Sequence, residues 1–276
     1  MSITNFTRLL WDAYIFDIYP VIYYTSYLMK ERKASSEQPI NFVMEVAAMK
    51  VEAAPYSAQE YLGWANEQAL LANKEGNYGV GAVYVLRNQG REFVIGGRNG
   101  IISRKDTHLH AEQDAIDAIE SLARNEDVYK DRVLSVRSAP HNREERAIYT
   151  SLEPCPMCTA RILTHKVDTV FIGTPDDYAG TMLDGRQDGL PALWQGMRNG
   201  DFHAPGEESK PLQVLTPTPD PNSLNHIPEK YKNLGAEIFS STRVLIDEKM
   251  GGRGLSPDLS NIPQVIQNYL KTSNLG

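Results

Sequence analysis

Cys155 and Cys158 are the only two cysteines of the 276-residue chain, and they stand three apart in Pro154-Cys155-Pro156-Met157-Cys158. Upstream lies His110-Ala111-Glu112. Two thiols and an imidazole are zinc donors, and three protein ligands leave a fourth position open, as a catalytic rather than a structural zinc site requires. A zinc ion so held acidifies a water, and a nearby carboxylate can move its proton. His110, Cys155 and Cys158 are therefore the candidate ligands of one Zn2+, with Glu112 as candidate general base and acid. A redox pair and a fragment of a structural zinc knuckle also contain C-x-x-C. A knuckle needs four closed ligands, and there is no second cysteine pair here. A redox pair has no use for His-x-Glu on another element.

Those residues must be brought together by the elements around them. Ser57 with Glu60 forms a capping box, after which Leu62, Ala65, Ala69 and Ala72 share one helical face. Gly79 to Leu86 reads as a buried strand, turned at Asn88-Gln89-Gly90 into a hairpin partner at Phe93-Val94-Ile95. Ala111, Ala115, Ala118, Ile119 and Leu122 keep helical spacing, so His110 opens a helix. Ala147 to Leu152 is the next strand, the C-x-x-C opens the next helix, and Val170-Phe171-Ile172 is the strand after that. Cysteines three apart share a helix face, and a helix N-terminus favours thiolate over thiol. Strand and helix alternating in this way imply a central sheet covered by helices on its faces.

Three regions follow: an N-terminal extension over 1–55, a catalytic domain over 56–200, and a proline-rich linker with a C-terminal extension over 201–276. In the first, the alternating run Asn41 to Val46 reads as a strand. The charged stretch Asn125 to Arg146 reads as a surface insertion. In the last, Glu237 to Ile246 reads as a strand and Ile262 to Leu270 as a short helix, with a linker or long wrapped loop before them. Leu9 to Met29 is apolar but contains Asp12, Asp17 and Pro20, which makes packed helices a better reading than a membrane span or signal peptide. A net charge of −7 gives no electrostatic footprint for nucleic acid, although a local basic groove is compatible with it. Two cysteines in a C-x-x-C fit a reducing, cytoplasmic setting.

The H-x-E…P-C-x-x-C pattern is the signature of zinc nucleobase deaminases. Residues from about 57 to 185 resemble the cytidine deaminase-like superfamily, in the branch of tRNA adenosine deaminase, guanine deaminase and fungal cytosine deaminase. The resemblance is carried by Val80-Gly81-Ala82-Val83, Asn99, His110-Ala111-Glu112 and Thr150 through Cys158. It implies a three-layer α/β/α sandwich around a mixed sheet, usually dimeric. It also implies that Asn99, eleven positions before His110, hydrogen-bonds the base, and that the backbone N–H of Ala111 contacts it. Asn99 is equally a residue type found in turns after Gly96-Gly97. The pattern selects His110 over His108, since the glutamate must follow by two. His141, His165, His203 and His226 read as surface or network residues. Asp184 lies in a stretch distantly similar to the substrate-facing carboxylate region of guanine deaminases, and a solvated loop accounts for it equally well.

Three functions compete. The first is release of ammonia from a free base or nucleoside, with Glu-Pro-Cys-Pro-Met-Cys and His-Ala-Glu leaning toward purines. The second is conversion of adenosine to inosine in tRNA, where a splayed base is read at a basic mouth. The third is a non-catalytic, zinc-stabilised partner-binding protein.

Overall fold

The computed structural model describes residues 38–124, 126–183, 185–186, 190–201 and 210–249. Leu9 to Met29, the polar break up to residue 37, Asp184, His203 and the expected helix Ile262 to Leu270 lie outside them. Six strands form one mixed sheet: β1 (Gly81–Asn88), β2 (Arg91–Arg98), β3 (Val133–Ser138), β4 (Glu145–Thr150), β5 (Thr169–Ile172) and β6 (Gln213–Leu215). Their order is β3-β2-β1-β4-β5-β6. The pairs from β3 to β4 are antiparallel, while β4, β5 and β6 run parallel. Helices α1 (Gln38–Glu52), α2 (Ala58–Lys74) and α6 (Leu234–Lys249) cover one face, and α3 (Ala111–Ala123) and α4 (Pro156–Thr164) the other. Helix α5 (Ala192–Asn199) packs beside α4. Among the described residues no helix is long and apolar enough to cross a membrane.

The layers follow from a period of two in the strands. Val83 and Val85 of β1, Tyr149 of β4 and Phe171 of β5 enter the core beneath α1, α2 and α6. Their neighbours Tyr84, Ile148, Val170 and Ile172 enter the second core, under α3 and α4. The hairpin between β1 and β2 turns on two residues, with Gln89 at φ 51° and Gly90 at φ 73°. Both lie in the left-handed region, which matches the strand twist and which glycine adopts without steric cost. At the start of α2 the Ser57 hydroxyl accepts from Glu60 N, but the Glu60 carboxylate returns to Tyr56 N rather than to Ser57 N.

Three expectations are corrected. Asn41 to Val46 belongs to α1, not to a strand. Val46 and Met49 are buried while Met44 is 58% exposed, which a strand placing Phe42, Met44 and Val46 on one face would not produce. The apolar positions run 42, 46, 49, a helical spacing that a six-residue window conceals. Glu237 to Ile246 likewise lies within α6, where Leu234 and Ile238, four apart, are both buried. Asn125 to Arg146 is not merely a surface insertion. It supplies a 3-10 segment, Asp127–Arg132, and the edge strand β3, in which Val133 and Leu134 pack against the two cores and only Val136 and Ser138 are exposed. Of the proline-rich stretch, Gln213 to Leu215 pairs with β5 as β6, and Leu224 O accepts from Ala58 N at the start of α2.

The hairpin end of the sheet is held by a buried ionic network. The fully buried Glu92 carboxylate accepts from Arg87 Nε at 2.7 Å, Arg137 Nε at 2.8 Å and the Tyr61 hydroxyl at 2.8 Å. Removing one charge from such a group leaves buried partners uncompensated, which typically costs about 3–5 kcal/mol. Glu92→Gln is expected to lower the unfolding free energy by roughly 3 kcal/mol in urea titration. Its zinc content and its activity per folded molecule should be those of wild type, since this network lies at the end of the sheet opposite the site described next.

Candidate active site

The far ends of β1, β2 and β4 meet at one edge of the sheet. Gly81 opens β1 opposite Arg98, the last residue of β2, and Ala82 is paired with Thr150, the last of β4. Ser151 ties the corner: its N–H donates to Gly81 O at 2.9 Å, and its hydroxyl accepts from Gly81 N at 3.1 Å. Both helices of the second layer begin here, with His110 as the N-cap of α3 and Cys155 as the N-cap of α4. Pro156 takes the first position of α4, where its missing N–H costs nothing. Gly97 lets α3 lie directly on β2, since a Cβ there would meet Ala111 O at 2.2 Å and Ala115 N at 2.4 Å.

This brings together the residues that the sequence motifs single out. One donor atom each from His110, Cys155 and Cys158 falls within 4.8 Å of the others. Cys155 Sγ and His110 Nδ1 are 3.6 Å apart, the spacing of two ligands on a tetrahedral ion bonded at roughly 2.0–2.3 Å. The donor set and its closeness fit zinc. Glu112, the second residue of α3, is buried, and its Oε1 lies 3.2 Å from the Thr150 hydroxyl. Gln113 Nε2 donates to Met157 O at 3.4 Å, joining the two helix starts between their ligands. His108 is excluded by position: its side chain is 82% exposed, beside Asp106.

The protons of the cluster are strongly redistributed. The thiol of Cys158 donates to Cys155 Sγ and, with His110, draws the Cys155 thiol down to about 4 despite burial. Cys158 itself is pushed well above the usual thiol range, first by that bond and then by burial. Burial works against charge on His110, but its bond to Cys155 and the charges of Glu112 and Cys155 outweigh it and raise its pKa. Burial, reinforced by the Cys155 charge, pushes the Glu112 carboxyl up.

Ala111 follows His110 directly, and Asn99 follows the last residue of β2. Asn99 is buried, donates its N–H to Val80 O at 3.0 Å and accepts at Oδ1 from Ile101 N at 3.3 Å. Gly100 N donates to Leu109 O at 2.9 Å, so the loop after Asn99 returns to the residue before His110. Ala111 is the first residue of α3, where a helix leaves its N–H without an intrahelical acceptor. Among the described residues, His165 sits against the Tyr84 hydroxyl, His141 against Glu145 and His226 against Thr218 O.

Sequence reasoning passed over the residues that hold the site in shape. Thr150 would have needed the β4 register to be found. Glu153 receives Met182 N, Leu183 N, Asp176 N and Arg186 Nη1, all at 2.8–3.1 Å, so a buried carboxylate one residue before Pro154 anchors the loop from 176 to 186. Its place inside the Leu-Glu-Pro-Cys run was the one available signal.

Residues 55–174 match the cytidine and deoxycytidylate deaminase zinc-binding region. Over this part the chain is similar to the cytidine deaminase-like superfamily. A tRNA-specific adenosine deaminase 2 from Danio rerio is 28% identical over 136 residues, which are 48% of this chain and 58% of that protein. The chain thus spans a little over half the length of that relative. Among solved structures, one from a study of A-to-I editing by tRNA:A34 deaminases aligns at 22% identity with a TM-score of 0.38, over 56% of this chain and 95% of that one. A guanine deaminase from Nitrosomonas europaea aligns at 18% identity with a TM-score of 0.39, over 68% and 86% of the two chains.

Proposed function

We propose that this chain hydrolyses the exocyclic amino group of a free nucleobase or nucleoside, a purine in preference, and releases ammonia. The observation that carries the reading is a buried glutamate, Glu112, beside a three-donor cluster that closes to 4.8 Å and leaves a fourth position for the reacting water. In this reading His110, Cys155 and Cys158 hold one zinc ion, which when bound acts as a Lewis acid that lowers the pKa of water toward neutrality. Glu112 takes the proton from that water and delivers protons to the ring nitrogen and to the leaving ammonia. The Thr150 hydroxyl, which also reaches Leu152 O at 2.8 Å, lies beside the Glu112 carboxylate at 3.2 Å. Asn99 and the Ala111 N–H orient the base. Residues 56–200 carry this chemistry, and the protein works as a cytoplasmic homodimer.

An adenosine in tRNA is the second reading, favoured by the identity to tRNA-specific adenosine deaminase 2. Ammonia release from guanine, adenine, cytosine, their nucleosides and bulk tRNA separates the readings. Turnover of a base or nucleoside supports the first, and turnover of tRNA alone transfers the proposal to the second. No release from any of them overturns both and leaves a zinc-stabilised binding protein.

A further inference from the structure

A buried ion pair next to the site is unaccounted for by the zinc chemistry. Asp114, in the first turn of α3, has a side chain with no exposed surface, and Arg132, the last residue of the 3-10 segment, is 1% exposed. Arg132 Nη2 lies 2.9 Å from Asp114 Oδ2. The same Oδ2 accepts the backbone N–H of Arg98 at 3.0 Å. Arg104, from the loop between Asn99 and His110, brings its Nη1 to 3.7 Å from Oδ1.

The place of the Arg98 bond in the sheet gives it meaning. Strand β3 pairs with β2 only as far as Ile95 opposite Val133. Beyond that point β2 runs on through Gly96, Gly97 and Arg98 with β1 alone beside it. The Asp114 carboxylate takes the acceptor role there that a neighbouring strand would have had. The residue that follows, Asn99, is fixed from the other side through its N–H to Val80 O. The two successive peptide units that lead into Asn99 are therefore tied, the first through Arg98 N–H to the helix that carries His110, Ala111 and Glu112, the second through Asn99 N–H to Val80, just before β1. Gly97 sets the distance of that helix from the strand, and Asp114 sets its register along it.

We propose that Asp114 is a positioning residue: its buried carboxylate fixes Asn99 relative to the start of α3, and Arg132, 2.9 Å away, is its buried partner. The proposal rests on the reading of Asn99 as a base contact. A carboxylate serving only as a partner for Arg132 would have no need to receive the strand end. A mere cap for Arg98 would have no need of a buried arginine. The two roles separate chemically, because asparagine retains an acceptor for Arg98 N–H but offers no charge to Arg132.

The test uses the full-length, zinc-loaded chain as wild type, Asn99→Ala, Asp114→Ala and Asp114→Asn. Two readouts are taken: amide hydrogen exchange of peptides covering 96–101, and KM and kcat for whichever substrate of the panel wild type turns over fastest. Loss of a contact made equally to substrate and transition state raises KM and spares kcat. Asp114→Ala is expected to speed exchange at 96–101 and raise KM about tenfold, as Asn99→Ala does, with kcat within about threefold of wild type. Asp114→Asn is expected to unfold at lower temperature, since Arg132 loses its counter-charge, yet to keep wild-type KM and exchange. If Asn99→Ala raises KM while Asp114→Ala changes neither KM nor exchange, Asp114 is a structural partner of Arg132 and the inference is wrong. If Asn99→Ala itself leaves KM unchanged, the reading of Asn99 fails, and exchange alone decides whether Asp114 sets its position. The same holds if wild type turns over none of the panel. Should Asp114→Ala fail to fold, Asp114→Asn with raised KM and fast exchange at 96–101 overturns the claim that the hydrogen bond to Arg98 is what matters.

Discussion

Glu112→Gln is expected to release ammonia at least about a hundredfold more slowly than wild type while retaining its zinc, because a positioned acid–base group contributes on the order of 10²–10⁴ to such a step. Glutamine is nearly the same shape and still offers an oxygen to the Thr150 hydroxyl, which lies 3.2 Å from Glu112 Oε1. What it lacks is a site that accepts a proton and gives it back. The defect should therefore lie in kcat, with KM little changed, as for a group that acts only in the transition state. Metal analysis alongside steady-state ammonia assays checks both halves. A variant that keeps wild-type kcat would remove Glu112 from the chemistry. One that loses its zinc would make Glu112 part of the metal site instead.

Cys158→Ser is expected to abolish activity by a different route. Cys158 is 1% exposed and closes the ligand cluster from inside α4. Three protein ligands are the usual complement of a catalytic zinc, so losing a buried thiolate leaves two donors and a poorly matched hydroxyl. Zinc content after dialysis should fall from about one per chain toward none, and ammonia release with it. The serine variant should still fold, because the two cores lie under α1, α2, α3 and α6 as well as α4 and hold residues far from the ligand. Full zinc content in a folded Cys158→Ser chain would show that the ion is held elsewhere.

The chemistry of the site was legible from residue types and spacing, and its scaffold only in part. His110, Glu112, Cys155 and Cys158 are short-range motifs at helix starts, and the periodicity of α3 and the strand before α4 announced those starts. The strands β1, β2, β4 and β5 were legible because each is buried on both faces and bounded by turn residues. Short amphipathic pieces were not. The window Asn41 to Val46 fits both periods, and the burial of Val46 and Met49 beside an exposed Met44 decides for the helix. Strand β3 hid because Val133-Leu134-Ser135-Val136-Arg137-Ser138 is a short run inside a charged stretch and shows no period-two alternation of apolar and polar residues along its whole length. Asp114 and Arg132 gave no signal at all, since a buried ion pair between a helix and a 3-10 segment depends on tertiary placement and reads in sequence as two solvated charges.

One zinc ion held by His110, Cys155 and Cys158 is expected to be required for ammonia release. The most direct test strips the purified chain with a chelator and returns zinc in measured steps while ammonia release is followed. The account predicts no release from the stripped chain and a linear rise that stops at one zinc per chain. Release that is undiminished after stripping, or that never appears on reloading, would contradict it.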